Sequence, residues 1–209
     1  MIKVPVLIKV FHKLKQKNLN YRDDLVWYAD SVNYPYNADI LASFTDGKSI
    51  QLSKLVSLMI TYSDNHASPW CQKLAGGGID INAWLSDNGF KYTRVSSRTP
   101  GRKKYWEKYR WGQTTPKEMA IFLELIRSGN CVSLAASEEM YRILTNIYWY
   151  GEALSGDYVL CIITNNQEDT TWDYDKEGFV LIRDISRIVW SYLEPEYQWQ
   201  PAEGLERYH

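Results

Sequence analysis

Apolar residues fill nearly every position from Met1 to Phe11, and the chain then turns basic at Lys13, Lys15 and Lys17. This predicts a helix over Met1–Lys15 whose first half is buried on all sides and whose cations sit at its negative end. A strand running into a helix is the alternative. Residues 18–46 show no period and read as irregular, with Tyr and Asn frequent and Pro35 as punctuation. Leu52, Leu55, Val56, Leu58, Met59 and Ile60 recur at helical spacing, which predicts a helix over Gln51–Thr61 capped by Ser49 or Ser53. A second helix is expected from Ser63 to Leu74, stopped by Gly76-Gly77-Gly78, and a short third from Ile79 to Asn88, ended by Gly89.

Thr115-Pro116-Lys117-Glu118 is the sharpest local signal. Thr115 caps, Pro116 takes the first helical position, and Glu118 closes a capping box for a helix that runs to Ser128 and stops at Gly129. Ser137 is expected to open a further helix through about Ile147, and Phe179–Leu193 forms a last amphipathic one. Only Asp157–Thr164 reads clearly as a strand, continuously apolar and rich in β-branched residues, as a central strand would be. Five or more helices against one strand is an unbalanced count, since a lone strand has nothing to pair with. Either further strands escape the pattern or sheet partners are missing from the chain.

Composition narrows the function classes. The 209 residues are 45% apolar and 23% charged, ordinary for a globular chain, and the net charge of −1 gives no basic excess for a phosphate backbone. Nucleic acid is therefore excluded as a first expectation. A basic run, Arg98–Arg110, contains one acid, Glu107, and reads as a solvated, mobile loop. Cys71, Cys131 and Cys161 match no metal-ligand spacing, and an odd count argues against a disulfide framework; no metal set and no cofactor are expected. No stretch is long enough to span a bilayer, and Met1–Val10, interrupted by Lys9, does not read as a signal peptide. His66 reads as a helix-surface or capping histidine, with a place at the border of the cleft as the alternative.

Ser63-Asp64-Asn65 alone reads as a helix N-cap. Its setting changes that. Met59–Ser68 resembles the second motif of class A β-lactamases and penicillin-binding proteins, whose set is Ser-x-x-Lys, Ser-Asp-Asn and Lys-Thr-Gly. About sixty residues earlier, where this family carries the first motif, the chain begins Met1-Ile2-Lys3-Val4-Pro5. This is similar to the family's Ser-Met-Ile-Lys-Val-Pro, with the serine falling before Met1. Residues three apart on a helix share a face, so a lysine in this place can take the serine's proton. Arg98-Thr99-Pro100-Gly101 through Gly112–Met119 resembles the family's omega-shaped loop and the helix after it. The glutamate two residues after the loop arginine, which activates the deacylating water, is here Pro100; Glu107 is the only acid in the loop.

The resemblance implies a general-base role for Lys3, a proton relay through Ser63, a substrate-amide contact from Asn65, a structural role for Asp64, and deacylation assisted by Glu107. Lys-Thr-Gly has no counterpart. Lys176-Glu177-Gly178 lies after the strand, and only nine residues, Trp149–Asp157, remain where the family's strand belongs. A segment of roughly thirty residues is expected to be absent near Leu154/Ser155. The fold expected is α/β of the α+β type, a β-lactamase-like helical layer on an antiparallel sheet that has lost strands. It forms one domain over 1–209, with a helical part to about 148, a sheet and C-terminal helix over about 149–195, and a tail after that. The implied reaction is β-lactam amide hydrolysis through an acyl-serine, impaired where the nucleophile and the Lys-Thr-Gly strand are absent. The alternative is a non-catalytic remnant or a cell-wall peptide-binding pseudoenzyme. The expected partner is a β-lactam or peptidoglycan-like small molecule, with a monomer as default. The family is exported; the chain as written, without a signal peptide, is expected to be cytoplasmic.

Overall fold

Helix α1, Lys3–Lys15, is the axis of the structure. Val4 to Phe11 are all buried, as a helix apolar on every side requires, and α1 packs on α2 (Leu52–Thr61), α3 (Ala67–Leu74), α4 (Gly77–Asp87) and α7 (Leu134–Leu144). The structure is a computed structural model that describes residues 2–32, 34–35, 39–147, 159–164, 167–169, 171, 173 and 175–196. Lys9 is buried in the middle of α1, and its ammonium meets Asp80 of α4 at 3.3 Å; Lys13, one turn on, meets the same carboxylate at 3.0 Å. An ammonium taken out of water needs such a partner. The pair therefore fixes the register of α1 against α4.

Four short strands are present among the described residues. β1 (Asp24–Val26) and β2 (Ser49–Gln51) pair antiparallel with Leu25 opposite Ile50, and β3 (Arg94–Val95) pairs with β4 (Gly112–Gln113). The expectation of an irregular 18–46 thus misses β1: three residues are too few to show alternation. The mostly helical architecture with small antiparallel sheets is the α/β class expected. Residues 159–164 take part in no ladder among the described residues, contrary to the central strand expected over Asp157–Thr164; its first two positions lie outside them. Apolar, β-branched character favours extended backbone, but a strand exists only where a neighbour supplies the hydrogen bonds.

Several helix starts differ from those expected, each for a local reason. The α3 helix begins at Ala67 rather than Ser63, because Ser63 has φ +54°, outside the helical region. Gly76 stops α3 at φ +101°, but Gly77 and Gly78 already belong to α4. No side chain caps α2, which follows β2 directly from Gln51. Ser133, not Ser137, caps α7, accepting from Ala136 N at 3.3 Å; Ser137 is buried and donates to Cys131 O at 2.7 Å. The basic run also holds structure: α5, Lys103–Tyr109, lies within it, and Arg102 donates to Gln113 Oε1 at 3.1 Å. Arg98 donates to Val32 O at 2.6 Å. The run is therefore not a mobile loop throughout.

Contacts divide the chain into two units, Met1–Gly151 and Glu152–His209. In the second, α8 spans Glu177–Leu193, and Glu177 Oε1 accepts from Glu168 N at 2.6 Å, so a carboxylate stands at the helix's positive end. Among the described residues no helix is long and apolar enough to cross a membrane.

The start of α6, Pro116–Arg127, carries half of the expected capping box. Thr115 Oγ1 accepts from Glu118 N at 3.2 Å, but the Glu118 carboxylate does not reach back to Thr115. It accepts instead from Lys91 N (2.7 Å), Tyr92 N (3.1 Å), Thr93 N (2.6 Å) and Thr93 Oγ1 (2.6 Å), pinning the chain that enters β3. Burial raises the Glu118 pKa, but the hydrogen bonds from Thr93, Tyr92 and Lys91 outweigh it and leave it lowered. A lowered carboxylate pKa stabilises the fold above the unfolded value of 4.5, and this is lost as pH falls below it. Glu118→Ala is expected to cost about 2–4 kcal/mol at neutral pH. Urea unfolding should show the gap to wild type shrinking below pH 4.5.

Candidate functional site

Asp64 builds the site's frame. Its side chain is 1% exposed, Oδ1 accepts from His66 N (2.9 Å) and Ala67 N (2.8 Å), and Oδ2 accepts from Leu41 N (2.9 Å). The first two contacts cap α3; the third ties the 39–41 segment to the turn. The positive φ of Ser63 brings the chain sharply out of α2. It leaves Ser63 exposed and Asn65 half-buried, on either side of the anchored aspartate.

Lys3, in the first turn of α1, meets this turn. Its Nζ donates to Ser63 O, to Ser63 Oγ at 2.9 Å, to Asp64 O at 3.4 Å and to Asn65 Oδ1 at 3.4 Å. An ammonium has three protons, so these four acceptors share them. Burial pulls the Lys3 pKa from 10.5 down to about 8, against the carboxylates of Asp64 and Asp39 and the thiol of Cys71, which raise it. A lysine in this range is about one-tenth neutral at pH 7, far more than an ordinary lysine, and in that form can accept a proton. The four residues Lys3, Ser63, Asp64 and Asn65 are thus brought together from sites sixty positions apart in sequence.

Two neighbours complete the cluster, and of these the sequence reading named only His66. His66 is 3% exposed rather than on a helix surface, and its Nδ1 lies 3.0 Å from Asp39 Oδ2. It does not cap α3, because Asp64 already does. Asp39 Oδ1 accepts from Asn65 Nδ2 at 3.4 Å. The rings of Trp27 and Tyr34 pack edge-on against His66, at centroid distances of 6.1 and 5.1 Å. Asp39 sits in the aperiodic stretch and carried no signal of its own. A histidine directly after the motif, once buried, requires an acceptor, and that was the available clue.

Ligand atoms of Asp39, Asp64 and His66 lie within 4.8 Å of one another, a grouping that the expectation of no metal set did not foresee. Both Asp64 oxygens already accept backbone N–H groups and the Lys3 ammonium stands beside the turn, so a cation there would compete with those hydrogen bonds and meet a like charge. The donor set fits a hydrogen-bonded anchor better than a metal.

Glu107 lies exposed on α5, with no hydrogen bond or ion pair to the Lys3 cluster among the described residues. Pro100 follows Arg98 by two positions, as the sequence shows. Lys176-Glu177-Gly178 forms the start of α8 rather than a strand. The nine residues available for a third-motif strand, Trp149–Asp157, lie outside the described residues. Two concavities of about 570 and 680 Å³ occur elsewhere, one beside Leu14 to Asp23 and one along α2 from Ser53 to Tyr62. Neither is lined by Lys3, Ser63 or Asn65, so the chemistry here is identified by the side-chain cluster and not by cavity size.

Comparison with known proteins bears on the family and the fold. The sequence profile described as "Beta-lactamase enzyme family" matches residues 1–155. Comparison with curated proteins gives no match. Among solved structures, a PBP-A mutant in acyl-enzyme complex with penicillin-G is similar at TM-score 0.59 and 21% identity, over 69% of this chain and 52% of that one. A β-lactamase from Sphaerobacter thermophilus is similar at 0.62 and 20%, over 75% and 59%. One from Chitinophaga pinensis is similar at 0.61 and 16%, over 69% and 54%. The chain thus spans little more than half the length of these structures, and the likeness shows the fold.

The lowered Lys3 pKa has a thermodynamic consequence. Below about pH 8 both folded and unfolded chains carry the protonated amine, and the cost of burying it is fully present. Between about 8 and 10.5 the unfolded chain holds more protons, so this group makes the fold more stable as pH rises. Tyr21, whose pKa burial and the Glu139 hydrogen bond raise, acts in the opposite sense above its ordinary 10.0. Wild type is therefore expected to gain about 1–3 kcal/mol relative to Lys3→Met across the 8–10.5 window, measured by urea unfolding. Parallel pH profiles for the two proteins would refute the lowered pKa.

Proposed function

This chain belongs to the β-lactamase enzyme family, and from that premise we propose that its Lys3–Ser63–Asn65 cluster recognises β-lactams or related cell-wall peptides and manages proton transfer at their amide bond. The observation that carries this is the convergence of Lys3 Nζ on Ser63 Oγ and Asn65 Oδ1, with the amine's pKa lowered to about 8 by burial.

In the proposed sequence of events, Lys3 as the neutral amine accepts a proton from an attacking hydroxyl. Ser63, hydrogen-bonded to that amine, passes a proton to the leaving nitrogen. Asn65 holds the amide carbonyl of the ligand through its side-chain N–H. Asp64, saturated by backbone N–H groups, keeps the turn in place and takes no part in proton transfer. Glu107 has no role here, being exposed and unconnected to the cluster among the described residues.

By the family resemblance a covalent acyl intermediate forms on a serine three residues before Lys3, a position that lies ahead of Met1. The acyl-transfer step of the family reaction is accordingly proposed for a chain that carries this serine, and recognition by the cluster is proposed with or without it. The non-catalytic reading, a cell-wall peptide-binding module, shares the cluster and differs only at this step.

Fluorescent penicillin separates these cases. The 209-residue polypeptide is expected to give no denaturation-resistant label, while the same chain with serine placed directly before Met1 is expected to give one. Lys3→Met in the extended chain should reduce the labelling rate by about 100-fold or more, the usual scale for loss of a general base. Stable labelling of the unextended chain would show that another side chain is the nucleophile.

A further inference from the structure

The Asn65 amide stands between two groups of fixed polarity. A carboxylate only accepts hydrogen bonds and an ammonium only donates them. Asp39 Oδ1 lies 3.4 Å from Asn65 Nδ2, and Lys3 Nζ lies 3.4 Å from Asn65 Oδ1. Turning the amide over would set its oxygen against a carboxylate and its NH₂ against an ammonium. Both contacts would become repulsive, so the two charged neighbours fix the orientation of the amide.

Asp39 is held in its turn. His66 Nδ1 lies 3.0 Å from Asp39 Oδ2, and because a carboxylate accepts, Nδ1 is the protonated nitrogen. The imidazole is 3% exposed and fixed by the edges of Trp27 and Tyr34. Backbone geometry adds a second restraint: Leu41 N donates to Asp64 Oδ2 at 2.9 Å, two residues beyond Asp39.

We propose that Asp39, fixed by His66, is a positioning residue that locks the Asn65 amide with its oxygen toward Lys3 and presents to a ligand carbonyl one N–H that has no partner among the described residues. The hydrogen bonds then run in one direction: His66 donates to Asp39, Asn65 donates to Asp39, and Lys3 donates to Asn65 and Ser63. An Asn NH₂ has two protons, and Asp39 takes one. What Asn65 offers outward is a donor, which selects an acceptor such as an amide carbonyl. This deepens the proposed function and rests on it for the ligand, but the locking itself is a property of the free protein.

The charged and titratable groups around Lys3 are Asp64, Asp39 and the Cys71 thiol, and the Cys71 pKa is pushed far up by burial, so the thiol stays neutral. Asp64 and Asp39 are therefore the anions that hold the ammonium form. Removing the charge of Asp39 should lower the Lys3 pKa further.

The test is a ¹³C-lysine NMR titration of the free protein, with the Lys3 signal assigned by Lys3→Arg, alongside the Asn65 side-chain NH₂ resonances. Asp39→Asn is expected to lower the Lys3 midpoint by about one unit and to shift both Asn65 protons, while Asp39→Glu keeps the Lys3 midpoint near wild type. A purely structural Asp39 would not be rescued this way. If folded Asp39→Asn leaves the Lys3 midpoint and the Asn65 signals unchanged, the proposal is overturned. Should Asp39→Asn fail to fold, His66→Phe is read instead: it fills the aromatic pocket but releases Asp39, so shifted Lys3 and Asn65 signals support the lock and unchanged ones overturn it. Penicillin recognition is measured separately, so its failure would strike the proposed function and leave the NMR result standing.

Discussion

One buried carboxylate holds this site together. Asp64 is almost inaccessible, and its charge is met by the N–H groups of Leu41, His66 and Ala67. Burying an unpaired carboxylate is costly, so those backbone groups must stay where they are. The start of α3, the 39–41 segment and the turn after α2 are thereby joined at one point. Ser63 can hold its unfavourable positive φ because the residue after it is anchored so firmly. Exposed Ser63 and half-buried Asn65 take their directions from a neighbour that makes no contact with solvent.

The second constraint comes from α1. A helix buried over Val4–Phe11 cannot shift along its axis without opening the core, and the Lys9–Asp80 pair resists its rotation. Lys3 is therefore delivered to the Ser63 turn by packing that lies one to two turns away. That delivery has an electrostatic price: burial disfavours the ammonium more than the nearby carboxylates favour it. A shorter or looser α1 would leave Lys3 better hydrated and a weaker acceptor near neutral pH.

What the sequence disclosed follows the range of the interaction concerned. The α6 start was legible because Thr115 and Pro116 act within one turn, but Glu118 went elsewhere, since three backbone N–H groups near β3 outcompete a single one at the cap. Ser133 and Ser137 both look like caps; the choice between them is made by Cys131, a loop residue that engages Ser137. β1 and β2 were invisible because two or three residues cannot display a period, and their pairing is set by contacts across more than twenty residues. Lys3, Ser63 and Asn65 could be joined only through the spacing that the family resemblance supplies. Asp39 could not, for it lies in a stretch without pattern and reaches the site through a backbone bond from Leu41.

The two aspartates near Lys3 show why charge alone does not define a role. Asp64 accepts from three backbone N–H groups, which tie it to the fold. Asp39 accepts from a histidine ring and from a side-chain amide, so its partners are side chains rather than backbone groups. The first aspartate is bound to the fold and the second to the site's state. On the proposed reading, a carbonyl arriving at Asn65 alters the surroundings of Asp39 and, through it, the field at Lys3, while the Asp64 anchor stays fixed. Responsiveness in this cluster therefore resides in the residue with the fewest backbone contacts, set against one that backbone contacts immobilise.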